Sequence, residues 1–243
     1  MRGNLMDQAY FDRKVAYDDE TITEFEQLSE DESKTVVHRT KLKYNVFKKR
    51  LHALILRYSR GDAVAELKPL FPPIIPAWER YLAAPYSDKF LILAGDTSTL
   101  ENHVLALWMV SLARIFEIDE ALFGRLLKCI GNEGKDILLE RLIAGKTAGI
   151  AKADTLVFPK IYSPLLAAID AEAKERPCLF KDFLDNWYRS MKPTYWYENH
   201  KGPGGGGFFG YWAIEAAGVV KTFGIDDSSF RDVLYYPKDL VQL

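Results

Sequence analysis

The sequence predicts an all-α protein, a multi-helix bundle of antiparallel helices arranged as two closely packed helical halves. Apolar residues recur at intervals of three and four along most of the 243 residues, which is the helical period. Alternating strands joined by Asn-Gly or Asp-Gly are missing from the pattern. The connections are short enough for antiparallel neighbours. We expect the two halves to cover residues 1–125 and 126–243.

The clearest helix coincides with a basic segment. Its apolar positions step by four, three, four, three and four residues, and they are Thr40, Tyr44, Phe47, Leu51, Leu54 and Tyr58. Ser33 is the predicted N-cap and Gly61 the predicted stop. The spacing predicts one continuous helix ending at Arg60.

Further helices follow from the same periodicity and from the positions of proline and glycine. We expect helical segments at 62–67, 76–82, 100–116, from Asp119 to just before Gly131, and at 137–143, 159–174, 177–191 and 208–223. A loop covers residues 192–207. Residues 104–110 are apolar nearly all round the helix, which predicts a buried central helix.

Charge is segregated near the start of the chain, although the whole chain has a formal net charge of only −2. Residues 18–32 contain acids and no Lys or Arg. Residues 33–61 contain bases and no acid, and these bases are Lys34, Arg39, Lys41, Lys43, Lys48, Lys49, Arg50, Arg57 and Arg60. The helix dipole favours acids before a helix and bases at its end, which accounts for part of this segregation.

The composition excludes several classes of protein. The chain has two cysteines, Cys129 and Cys178, which are too few for a disulfide scaffold and are expected to be buried thiols in a reducing compartment. Residues 1–7 do not resemble a signal peptide, and no apolar stretch approaches the length of a membrane span. We therefore expect a cytoplasmic protein that does not bind a membrane. The four histidines lack zinc-ligand spacings, so neither a metal nor another cofactor is expected.

Two glycine motifs suggest nucleotide chemistry, but both fail in context. Gly145-Lys146-Thr147 lacks the glycine that a phosphate-binding loop needs five residues earlier, so Gly145 is expected to end a helix. The run 202–207 fits G-x-G-x-x-G and Asp226 lies at a suitable distance, yet no buried strand precedes it. A flexible loop tip is the preferred interpretation of this run.

Glu215 interrupts an apolar stripe on the last predicted helix. The stripe contains Trp212, Ala216, Val219, Val220 and Phe223, and at 100° per residue Glu215 falls inside it. A buried carboxylate is costly unless it is paired. A structural bond to a basic or hydroxyl group of another helix is the preferred interpretation, and the alternative is a functional anchor beside the glycine run.

The last part of the chain resembles a known family. The motifs 209–217, 226–230 and 235–240 are similar to the C-terminal signature of the PoNe immunity proteins (PoNi). Gly218 departs from this pattern, in which Ala or a larger residue is expected, and the four-glycine run is a second departure. The acidic-then-basic start of the chain is compatible with the N-terminal region of the family.

The resemblance implies an α-helical immunity protein that binds a DNase toxin and is not an enzyme. An inhibitor can use acidic groups against the cationic groove of a nuclease, and exposed aromatic side chains make good anchors. The expected toxin-binding residues are Asp18, Asp19, Glu20, Tyr195, Trp196, Tyr197, Phe208, Phe209, Asp226, Asp227 and Asp232. The expected partner is a cognate DNase effector delivered by a contact-dependent secretion system or made by the cell itself, with no nucleic acid bound; homodimerisation is left open.

Two other functions remain as alternatives. A helical nucleic-acid-binding module would use the basic segment 34–60. An enzyme would use the glycine run together with Glu215.

Overall fold

The computed structural model describes residues 1–88, 99–131, 134–145 and 153–242, and these residues form helices, turns and irregular segments without any strand. The all-α prediction is therefore confirmed. The described residues cluster into two compact units. Unit 1 is drawn from Met1–Lys89, Glu120–Arg125 and Glu198–Gly210, and unit 2 from Phe90–Asp119, Leu126–Tyr197 and Tyr211–Leu243.

The helices of each unit are numbered in chain order. Unit 1 contains α1 (Gln8–Glu30), α2 (Val36–Arg60), α3 (Val64–Leu67), α4 (Ile74–Leu82) and the beginning of α6 (Glu120–Ile130). Unit 2 contains α5 (Leu100–Phe116), the rest of α6, α7 (Ile137–Ala144), α8 (Pro159–Asp170), α9 (Arg176–Ser190) and α10 (Ile214–Phe223). Short 3₁₀ turns cover Lys68–Leu70, Asn199–Lys201, Pro203–Gly205 and Lys238–Gln242.

The structure corrects several of the helix ends expected from sequence. The N-cap of α2 is Thr35, not Ser33, because the Thr35 hydroxyl accepts a hydrogen bond from the His38 amide at 3.2 Å. Helix α8 ends at Asp170, four residues early. Helix α10 starts at Ile214 instead of Phe208. By contrast, Gly61 ends α2 in the left-handed conformation as predicted.

Helix α1 was missed by the sequence analysis. Its buried stripe runs through Phe11, Val15 and Ile22, but the position between Val15 and Ile22 is occupied by Asp18. An acid in the middle of the stripe weakens the periodicity on which the prediction depended. The available signal was Asp7, whose carboxylate caps the helix by accepting a hydrogen bond from the Tyr10 amide at 2.7 Å.

Unit 1 is built around α2. Helix α2 packs against α1 and against α4, where the rings of Phe47 and Trp78 stack with centroids 4.7 Å apart. Tyr44 and Tyr81 extend this contact, with ring centroids 5.0 Å apart. These aromatic contacts fix α4 against the middle of α2.

The segment Glu198–Gly210 belongs to unit 1 although it lies far along the chain. The Tyr10 hydroxyl donates to the Phe208 carbonyl at 2.7 Å, and the Ser59 hydroxyl donates to the Phe209 carbonyl at 2.9 Å. The His52 ring stacks on Phe209 with centroids 4.0 Å apart. Phe208 and Phe209 are consequently part of the core of unit 1.

The glycine run contributes directly to this packing, so its interpretation as a loop tip is wrong for Gly205. Gly205 is buried, has a φ of +85°, and a Cβ there would lie 2.4 Å from the Tyr10 ring. At Gly206 a Cβ would lie 2.5 Å from the carbonyl oxygen of Asn199. Only glycine fits these two positions without rearrangement.

Gly218 has an equally specific reason in unit 2. Helix α10 crosses α5 so closely that a Cβ at Gly218 would lie 2.1 Å from the Ser111 hydroxyl. The departure of this residue from the expected family pattern therefore reflects the close approach of two buried helices.

We predict that Gly205→Ala destabilises the protein by about 3 kcal/mol or more, because overpacking against Tyr10 adds to an unfavourable positive φ. Gly204→Ala is the matched control, since Gly204 also has a positive φ of +61° but open space around its Cβ position. Its expected cost is about 1 kcal/mol. Chemical denaturation of both variants measures the difference. Equal loss of stability in the two variants would contradict the packing described for Gly205.

Candidate functional site

The acids of α1 and the bases of α2 face each other within unit 1. The pairs run antiparallel, so the beginning of α1 meets the end of α2. They are Asp12–Arg60 at 3.5 Å, Asp19–Arg57 at 2.5 Å, Asp18–Lys49 at 2.8 Å, Glu26–Arg50 at 2.7 Å and Glu30–Lys43 at 3.1 Å. The charge segregation seen in the sequence thus becomes a series of ion pairs between two adjacent helices.

Asp18 is the buried member of this series. Its side chain is only 3% exposed and is bonded by Lys14 at 2.5 Å and by Lys49 at 2.8 Å. Two cations compensate the loss of hydration that a buried carboxylate suffers. The more exposed pairs contribute about 0–1 kcal/mol each, since water screens them.

The three acids expected to bind a toxin in this region have different surroundings. Asp18 is buried and forms ion pairs with Lys14 and Lys49. Asp19 is exposed but bonded to Arg57. Glu20 is exposed and makes no hydrogen bond or ion pair within the described residues. Of these three acids, Glu20 alone presents a charge to solvent that no described residue compensates.

The same ion pairs weaken the case for nucleic-acid binding by residues 34–60. Lys43, Lys49, Arg50, Arg57 and Arg60 all bond to acids of α1. A surface that binds nucleic acid needs Lys or Arg side chains that are free to pair with phosphates and displace the counterions of the nucleic acid. Most of the charge that suggested this function is already neutralised within unit 1.

Three of the five aromatic candidates are not on the surface. Phe208 and Phe209 lie in the core of unit 1, and Trp196 is 2% exposed in unit 2, where it packs beside Trp187 with ring centroids 5.9 Å apart. The expectation that these side chains are exposed is therefore wrong. Their neighbours in sequence differ, because Tyr195 is 46% exposed and Tyr197 is partly exposed.

The C-terminal acids serve mainly local structure. Asp226 is exposed and accepts hydrogen bonds from the amide and hydroxyl of Ser228, which hold its pKa below the usual value. Asp232 is exposed and pairs with Lys238 at 2.6 Å, which lowers its pKa in the same way. Asp227 is 8% exposed and bonds to Tyr236 and Arg231.

Asp227 therefore offers little to a partner, in contrast to Asp226 and Asp232. A hydrogen bond to a turn or to one exposed lysine leaves a carboxylate in contact with solvent, so the latter two remain available at the surface of unit 2.

Glu215 is fully buried in the core of unit 2. Its carboxylate accepts hydrogen bonds from the indole N–H groups of Trp108 at 2.9 Å and Trp187 at 2.7 Å, and Tyr162 adds a longer contact at 3.5 Å. The partners come from α5, α9 and α8. The Tyr162 hydroxyl is one of the two kinds of partner expected from the sequence, a basic or hydroxyl group of another helix, whereas the two indole N–H donors were not expected.

Burial raises the pKa of the Glu215 carboxyl to about 7, and the hydrogen bonds to its backbone, to the two indoles and to Tyr162 limit the rise. The pKa of Tyr162 is raised well above 10 by burial and by the neighbouring Glu215. Tyr162 consequently remains a protonated donor. The network joins three helices to α10.

A second buried polar group in unit 2 was not identified from the sequence. Asp136 caps α7 by accepting from the Leu139 amide at 2.9 Å, and it also accepts from the Val157 amide at 2.8 Å. His103 Nε2 lies 3.1 Å from this carboxylate, within ion-pair distance, although no well-aligned hydrogen bond joins them.

Burial alone would raise the pKa of Asp136, but interactions with His103 and with the two amides keep it below the usual value. The available signal was an Asp directly before a predicted helix.

Within the described residues, no group of three or more His, Cys, Asp or Glu side chains is placed to hold a metal ion. None of the described helices combines the length and apolar character needed to cross a membrane. Gly145 ends α7 as predicted, while Lys146 and Thr147 lie outside the described residues. Cys129 is buried as expected, but Cys178 is an exposed free thiol.

Comparison with known proteins gives matches over nearly the whole chain. The family model "PoNe immunity protein (PoNi), N-terminal" matches residues 2–128, and the model "PoNe immunity proteins (PoNi), C-terminal" matches residues 134–240. The crystal structure of protein PA2201 from Pseudomonas aeruginosa is similar, with a TM-score of 0.74 and 19% identity over 99% of this chain and 89% of that one. At this identity the likeness supports the fold alone. No curated protein matches the chain.

We predict that Glu215 makes the stability of the protein depend on pH. Because its pKa is higher in the folded state than the ordinary value of 4.5, the folded state binds the extra proton. The stabilisation from this group is complete below pH 4.5 and is lost as pH rises to about 7. Relative to Glu215→Gln, the wild-type free energy of unfolding should fall by up to about 3 kcal/mol across this range.

Urea denaturation of both proteins between pH 4.5 and 8 measures this difference. The comparison with glutamine removes the contributions of all other titratable groups. A wild-type-minus-variant difference that stays constant with pH would show that the carboxyl is not perturbed by burial.

We also predict that the triple variant Lys48→Ala, Lys49→Ala, Arg50→Ala loses folding stability and changes DNA binding little. Lys49 and Arg50 bond to Asp18 and Glu26, so their removal leaves Asp18 buried with one cation fewer. Fluorescence anisotropy with a duplex oligonucleotide over a range of salt concentrations, together with denaturation, separates the two effects. Tight wild-type DNA binding that falls steeply with salt and is abolished in the variant would instead support the nucleic-acid hypothesis.

Proposed function

Because this chain belongs to the PoNe immunity protein family, we propose that it binds and neutralises a cognate PoNe-type DNase toxin and so protects the cell that makes it. The observation that supports this proposal best is the pair of family matches, which together span residues 2–128 and 134–240. Both regions of the family are present in the expected order. The role requires binding and no catalysis by this chain.

The physical basis of neutralisation is competition for a charged groove. A DNase must present cations to the phosphates of DNA, and this field attracts an acidic protein surface as well. Electrostatic attraction of this kind speeds association and discriminates between partners. A cell that makes the toxin, or receives it from a neighbour through a secretion system, gains protection if capture is fast. We place this encounter in the cytoplasm, where the chromosome is the target.

Exposed members of the predicted site are the best candidates for this contact. They are Asp19 and Glu20 on α1, Tyr195 after α9, and Asp226 and Asp232 near the end of the chain. Four of the candidates are buried and contribute by stabilising the fold that positions these surfaces. They are Asp18, Trp196, Phe208 and Phe209. Asp227 is buried as well, and Tyr197 is partly exposed.

We predict that co-expression of this protein restores the viability of cells that produce the nuclease encoded beside its gene. Survival and intact chromosomal DNA are the readouts, and Gly205→Ala gives a control in which the chain is present but destabilised. Isothermal titration calorimetry of the purified pair should give a dissociation constant in the nanomolar range. Cells that die at the same rate with and without the wild-type protein would refute the proposal.

A further inference from the structure

Helix α1 has a solvent-exposed side opposite its buried stripe. Phe11, Val15 and Ile22 are buried in unit 1, while the residues on the opposite side are exposed. The exposed positions step by three or one along the helix, and they are Arg13, Ala16, Tyr17, Glu20, Thr23, Glu24 and Gln27. We call this set the α1 outer face.

Two carboxylates on the α1 outer face have no partner in the part of the chain that the structure describes. Glu20 and Glu24 make no ion pair or hydrogen bond within the described residues, in contrast to Asp19 and Glu26 on the flanks of the same helix. They are four residues apart, which is about 6 Å along the helix axis. Like charges at this spacing destabilise a helix by a few tenths of a kcal/mol. Neither carboxylate therefore gains a stabilising ion pair within the described residues.

An aromatic side chain stands beside these carboxylates. Tyr17 is 59% exposed, and the ammonium groups of Lys14 and Lys49 lie 5.4 Å and 5.3 Å from the centroid of its ring. Both lysines are held by Asp18 beneath the surface. The position of the ring is thus supported by two bound cations while much of its area remains free, a geometry suited to a binding anchor.

We propose that the α1 outer face is the surface that enters the DNA-binding groove of the nuclease, with Glu20 and Glu24 in place of DNA phosphates and Tyr17 as the anchor. This inference rests on the proposed function. Charge complementarity selects the occupant, because a groove built for phosphates attracts unpaired carboxylates more strongly than carboxylates that already pair with a cation. The immunity protein and DNA should then exclude each other from the toxin.

The test compares charge reversal on this face with reversal elsewhere. Glu20→Arg with Glu24→Arg changes the α1 outer face, and Glu66→Arg with Glu175→Arg makes the same change in net charge at exposed acids of α3 and the start of α9. Affinity for the nuclease should fall by about tenfold or more for the first variant and by about twofold or less for the second. Tyr17→Ala should weaken binding by about tenfold through faster dissociation. Circular dichroism confirms that each variant is folded.

The outcomes separate this inference from the function on which it rests. If the wild-type protein does not bind the nuclease at all, the proposed function fails. If it binds, yet both charge-reversed variants bind equally well, the α1 outer face is not the docking surface. A duplex oligonucleotide that displaces the wild-type protein from an inactive nuclease supports the inference. A stable ternary complex with DNA overturns it.

Discussion

The pairing of α1 with α2 is the interaction on which the arrangement of unit 1 depends. One helix carries the acids and the next carries the bases, so their antiparallel contact neutralises both. Asp18 is central to this contact, because it is buried between Lys14 and Lys49 and cannot lose them without an uncompensated charge. The pairing also decides which charges face solvent. Carboxylates on the α2 side are satisfied, and those on the outer side of α1 remain available for a partner.

In unit 2, neutral hydrogen-bond donors and not cations stabilise a buried carboxylate. The Glu215 carboxylate accepts hydrogen bonds from the indole N–H groups of two helices, and Tyr162 of a third helix lies beside it. Such a network fixes the mutual orientation of helices, which apolar contacts alone define less precisely. The close crossing at Gly218 has the same effect on α5 and α10. Buried polar groups that suggested chemistry in the sequence thus have a structural explanation in this unit, and surface residues remain the candidates for function.

Periodicity in the sequence predicted most helices but only part of the candidate site. Helices with an uninterrupted apolar stripe, such as α5 and α9, agree with the expected segments to within about a residue. Helix α1 escaped detection because Asp18 interrupts its stripe, and the pairing that makes Asp18 favourable comes from another helix. The burial of Phe208 and Phe209 could not be foreseen for a similar reason. Their contacts are with residues about 150 to 200 positions earlier in the chain, and a local pattern carries no information about such contacts.

We propose that this helical protein inhibits its cognate nuclease by filling the groove that binds DNA. The most direct measurement is a titration of purified nuclease with this protein, in which the rate of duplex DNA cleavage is followed. We expect a linear fall in rate that reaches zero near equimolar protein. Full cleavage activity in the presence of a large excess of folded protein would contradict it.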